Sequence, residues 1–168
     1  MLRAEGVVSF PKFDVNKFTK TLNETVETQM RMAAREWLRA VVPLVPVYTG
    51  TAKGTLRPLG QFLRVAVPIK PLKSRKGLGP EVGATASSFE FGRQGNTFTF
   101  KWNHTINYAI INEFYSRPNP PFRLTNPTPW NAIVAGNAAW DAYVKTTLPK
   151  KVPKLADFME FQSQRLGG

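Results

Sequence analysis

The chain has 168 residues, 42% hydrophobic and 12% aromatic, with 14 prolines, 12 glycines and a formal net charge of +12 at pH 7. That length is one ordinary domain, able to bury a core without metal or disulfide staples. Cysteine is absent, which excludes a disulfide framework, a thiolate metal site and a cysteine nucleophile. The positive field attracts polyanions without choosing among DNA, RNA and acidic protein.

The opening MLRAEGVVSFPKF lacks the apolar core of a signal peptide, and no apolar run approaches the roughly 18 residues of a membrane span. A cytosolic product with no membrane partner is expected. Lys and Arg less Asp and Glu gives 9 − 5 = +4 for residues 1–57, 5 − 0 = +5 for 58–80, 2 − 3 = −1 for 81–116 and 7 − 3 = +4 for 117–168. The excess is densest in one short stretch.

From Phe13 to Val42 the apolar residues Val15, Phe18, Leu22, Val26, Met30, Ala33, Trp37 and Val41 recur at spacings of 3 or 4. This predicts an amphipathic helix with Asp14 as N-cap, stopped near Val42 by Pro43 and Pro46. A helix of about 28 residues spans roughly 42 Å, more than one small core needs. Its surplus end either packs on a neighbouring chain or lies across the chain's own sheet.

The loop VPVYTGTAKGTLRP follows. Gly50 can take φ > 0, Pro46 fixes the approach, and the Thr49 hydroxyl can bond the turned backbone, so the three read as a structural turn from helix into sheet. Gln61 to Val67 (QFLRVAV) reads as a short strand. Residues 68–80, PIKPLKSRKGLGP, hold three prolines and the cations Lys70, Lys73, Arg75 and Lys76 with no acid, which describes an exposed loop. Those cations either line a DNA channel or clamp an acidic partner, or they simply keep a loop soluble. The stretch 68–80 has no aromatic side chain for base stacking.

Ser88–Arg93 (SFEFGR) and Thr97–Trp102 (TFTFKW) alternate aromatic with polar around the hairpin signal QGN. Phe89, Phe91, Phe98, Phe100 and Trp102 are expected on one buried face. Ile106 to Phe114 (INYAIINEF) is a further apolar segment, strand or short helix. A second helix is predicted from Thr128 as N-cap and Pro129 at the first position to about Thr147, with Trp130, Ile133, Val134, Ala138, Val144 and Leu148 as its apolar face and Pro149 as its stop. The basic tail, 149–168, has a possible last helical turn around Leu155 to Phe161.

Little here points to catalysis. His104 is the one histidine, at a strand end with no carboxylate pair beside it in sequence, and reads as a solvated loop residue. The stretch GLGPEVG has the wrong spacing for a phosphate loop, and Pro80 removes a backbone donor. Glu81, Glu90 and Glu113 read as solvated carboxylates. Neither enzymatic activity nor a cofactor is expected.

A long helix, the loop PVYTGTAKGTL (Pro46, Thr49, Gly50), a basic loop, an aromatic hairpin, YAIINEF (Tyr108, Ala109, Glu113), PPFR (Pro121, Phe122) and a last helix follow one another in this order. The order resembles the tail-completion or neck proteins of tailed bacteriophages, across most of residues 14–148. The insertion Thr51–Gly54 before Leu56 and Tyr115 after Glu113-Phe114 depart from the family pattern. The resemblance implies a structural virion protein, made in the host cytoplasm and built into the head–tail junction. It implies a homo-oligomeric ring, sixfold, touching adjacent connector and tail proteins and in nonspecific contact with packaged DNA. A tail terminator and a head-closure ring stay open beside it, as do a small basic nucleic-acid-binding protein and an assembly factor. The expected fold is α+β, one domain with its core in about 13–148: a twisted antiparallel sheet with the long N-terminal helix and the C-terminal helix packed on one face. Lys70, Lys73, Arg75 and Lys76 are the candidate docking or channel-facing element.

Overall fold

The protein is α+β, with a long N-terminal helix, an antiparallel hairpin and a C-terminal helix that packs on the first. The computed structural model describes residues 12–45, 47, 50–70, 80–95, 97–106, 130–154 and 159–160. Helix α1, Val15–Leu44, starts where expected: Asp14 is extended at φ −85° and ψ 91°, and its carboxylate accepts the Lys17 N–H at 2.9 Å. It ends two residues later than expected, because Pro43 lies inside the last turn. Proline there removes one backbone bond and leaves the rest of the helix intact; the Val45 N–H still reaches Val41 O at 3.3 Å.

The buried residues of α1 are Ala33, Ala34, Trp37, Leu38, Val41 and Val42, all in its C-terminal half. With Val45, Ala52, Leu56, Leu59, Leu63 and Ala132 they make the core. Val15, at the start of the apolar stripe, is 59% exposed.

The expected strand at 61–67 is not there. Residues 51–54 form a short helix α2, Thr51–Gly54, and residues 57–63 form α3, Arg57–Leu63. The segment QFLRVAV therefore divides: Gln61 to Leu63 close a helix that puts Leu56, Leu59 and Leu63 into the core, and Val65 to Lys70 lie outside any helix, turn or ladder. The apolar run was ambiguous in period, and burial of leucines spaced by 3 and 4 decided for the helix. A further helix, α4 (Pro80–Thr85), leads into the sheet.

Strands β2 (Ser87–Gln94) and β3 (Thr97–His104) pair antiparallel in the register Phe89↔Trp102 and Phe91↔Phe100, and Gly95 turns at φ 57°. The five aromatics share a half-buried face as expected. Phe62 of α3 meets Phe89 and Phe91 at ring separations of 5.0 and 5.3 Å, and Trp37 of α1 meets Phe100 at 5.6 Å, edge to face. A two-stranded ribbon is marginal alone; these contacts anchor it.

Helix α5, Ala132–Thr146, begins after Asn131, which is left-handed at φ 51° and gives no side-chain cap. The expected start at Thr128 and Pro129 lies outside the described residues. The face it buries is different in part: of the expected residues Trp130, Ile133, Val144 and Leu148 are half-buried. Ala132 and Gly136 are buried, whereas Val134 is 56% exposed and Ala138 is exposed. Small residues bring the α5 backbone onto α1, and that close approach outweighs the larger side chains that hydropathy picks out. Pro149 sits in the first turn of a new short helix, α6 (Leu148–Lys151), which also touches α1. Lys12–Phe13 (β1) pairs with Met159–Glu160 (β4), so those two residues are strand and not the expected final helical turn.

Candidate functional site

The turn at Gly50 is left-handed, φ 86° and ψ −9°, and it delivers the chain into α2, not into a sheet. All four residues of α2 are buried. Gly83 of α4 lies against the Thr51 carbonyl and Gly54. The Thr55 hydroxyl donates to Ala52 O at 2.7 Å, and the Trp102 indole N–H donates to Thr55 O at 3.2 Å, which ties this turn to the hairpin. Lys53 is 7% exposed, and its burial pushes the ammonium below the ordinary lysine range. Pro46 and Thr49 lie outside the described residues.

The end of α3 is built as a Schellman cap. The Arg64 N–H reaches Gln61 O at 3.3 Å, the Val65 N–H reaches Gly60 O at 2.9 Å, and Arg64 takes φ 55° and ψ 45°, the position usually given to glycine. The cap folds the following segment back on the helix. A Cβ on Gly60 would stand 2.6 Å from Val67 Cγ2 and 2.9 Å from Val65 O.

An open groove of about 380 Å³ lies along this return, lined by Arg57, Gln61 and Arg64 on one side and Val65, Ala66 and Val67 on the other. Arg57 opens α3 and Arg64 caps its end, and both line the groove. Both are exposed. Arg57 has Glu81 at 3.9 Å, a carboxylate that is itself 84% exposed, and Arg64 has no ion pair among the described residues. Such an exposed pair neutralises little. The two guanidiniums of its lining, with no acid among the lining residues, suit the groove to hold anionic oxygens.

Of the expected docking cations, Lys70 is exposed, three residues beyond the groove lining; Lys73, Arg75 and Lys76 lie outside the described residues, as do Tyr108, Ala109, Glu113, Pro121 and Phe122. Glu90 faces Lys101 at 3.4 Å across the hairpin, and Glu81 faces Arg57, so these two carboxylates do not converge. His104 is half-buried against the Trp102 ring at 4.8 Å, a packed strand residue and not a solvated loop one. Among the described residues no cluster of three acids or histidines is placed to hold a metal, and no helix is long and apolar enough to cross a membrane.

The arginines of the groove are not singled out by sequence. Read as residues of a turn and a strand, Arg57 and Arg64 share no face; only helix α3 brings them together. Their spacing of seven was the one signal available. Compared with protein-family models, with curated proteins and with solved structures, the chain matches none.

Proposed function

We propose that this chain is a structural subunit of a tailed bacteriophage, one of the copies of a ring at the head–tail junction. The observation that carries the reading is the order of sequence elements: a long helix, PVYTG, a basic stretch, an aromatic hairpin, YAIINEF, PPFR and a closing helix. The shape of α1 supports it. A helix of 30 residues reaches about 45 Å, and its buried residues begin only at Ala33. In the preceding half Val15 is 59% exposed, whereas Phe18, Leu22 and Val26 are half-buried. A ring closes when each subunit repeats one heterologous contact around the axis, and the exposed side of the first turns of α1, Val15 among them, is a suitable part for that contact. Mass spectrometry of purified virions tests the reading. A low, fixed copy number relative to the major capsid protein, near that of a sixfold or twelvefold ring, is expected. Absence from the particle overturns it and leaves an assembly factor or a basic nucleic-acid-binding protein.

A further inference from the structure

The groove beside α3 has the parts of an acceptor for an extended acidic peptide. Val65 to Lys70 lie outside any helix, turn or ladder and alternate half-buried and exposed, the pattern of a strand, but no described strand pairs with them. In an extended chain, neighbouring residues point their N–H and C=O groups to opposite edges. The Val65 N–H is committed to Gly60 O and the Val65 carbonyl also lies against Gly60, so the hydrogen-bonding edge of Val65 faces α3. Ala66 must then present its N–H and C=O on the opposite edge, and it makes no hydrogen bond with another described residue.

Charge stands beside that edge. The Arg57 and Arg64 guanidiniums line the same groove, and Arg64 holds a left-handed backbone where glycine or asparagine would be relaxed. The Schellman cap imposes that backbone, and arginine in place of glycine sets a guanidinium beside the groove.

We propose that this groove receives an extended, acidic segment of a partner protein, which adds its backbone to Ala66 and sets carboxylates on Arg57 and Arg64. This is strand addition with charge selection. A nucleic-acid backbone fits less well. Phosphate oxygens accept but do not donate, so they leave the Ala66 carbonyl without a partner, and the groove has no aromatic ring for a base. The proposal does not rest on the ring reading, because it concerns what the isolated chain binds.

The test uses the full chain and three probes: a short capped peptide alternating glutamate and valine, its glutamine counterpart, and a duplex oligonucleotide. Isothermal titration gives affinities, and amide hydrogen exchange reports on Ala66. The expected result is saturable binding of the glutamate peptide, loss of about tenfold in affinity in the double variant Arg57→Gln, Arg64→Asn, slower exchange at Ala66, and little binding of the glutamine peptide. Asparagine keeps the left-handed conformation, and Arg64→Gly serves if that double variant does not fold. Three results overturn the proposal. These are equal binding of both peptides, binding of the glutamate peptide without protection of Ala66, and duplex binding through the two arginines that exceeds peptide binding.

Discussion

The Trp37 indole N–H donates to Asn137 Oδ1 at 3.1 Å, one residue from a point where the α5 backbone lies against α1 side chains. That point is Gly136. A Cβ there would stand 2.6 Å from Val41 Cγ2 and 2.7 Å from Trp37 Nε1. Both neighbours are rigid, buried side chains, so neither can swing away. Gly136→Ala is expected to destabilise the protein by about 1–3 kcal/mol through overpacking, against a helix-propensity gain of under about 1 kcal/mol. Urea denaturation measures it; an increase in the midpoint would show that the helices are not in contact here.

Trp37 is also a hub for the hairpin, with Phe100 and Trp102 at 5.6 and 5.9 Å. Trp37→Ala removes the indole, its hydrogen bond and two aromatic contacts at once. A loss of about 3–5 kcal/mol is expected for such a truncation. Near-ultraviolet circular dichroism should collapse with it, because the aromatic cluster loses its common neighbour.

Arg64→Gly is expected to act in opposite directions on stability and on binding. Removing the side chain relieves a left-handed backbone, worth about 1 kcal/mol, and the Schellman cap prefers glycine at that position. Thermal unfolding should therefore rise while affinity for the acidic peptide falls. A variant that is less stable than the parent would mean that the guanidinium is engaged within the fold.

Lys53 makes stability depend on pH. Its folded value is lowered by burial below 10.5, so between the folded value and 10.5 the unfolded chain holds more proton than the folded one. Stability from this group therefore rises with pH across that window. Tyr143 works the other way above 10.0. Burial first, and then the Glu36 carboxylate, raise its value, so the folded state keeps the phenolic proton and stability falls as the unfolded tyrosine ionises. Lys53→Met isolates the first effect. It should raise stability near neutral pH and remove the upward slope, as read from urea melts across the alkaline range. An unchanged slope would mean that the ammonium is solvated.

Periodicity and local chemistry carried much of the fold. Eight apolar residues at helical spacing and the Asp14 cap located α1 to within two residues at either end, because the start of a helix and its buried stripe are written in neighbouring side chains. The hairpin was legible for the same reason: alternation over eight residues and a glycine that can turn are local facts. The segment 61–67 was not legible. Phe62, Leu63, Val65 and Val67 suit a strand as well as a helix end, and the choice depended on whether Leu59 and Leu63 could reach a core made by residues distant in the chain. The buried face of the C-terminal helix was legible in part, at Trp130, Ile133, Val144 and Leu148; its centre was not, because hydropathy favours Val134, whereas a close helix crossing favours Gly136. The groove was invisible for a related reason. Arg57 and Arg64 become neighbours only once α3 forms, and Ala66 gains an outward edge only once the Schellman cap turns the chain back on Gly60. Sequence determined where charge and apolar residues lie along the chain; tertiary packing decided which of them face one another, because contacts between distant segments form only when their shapes fit.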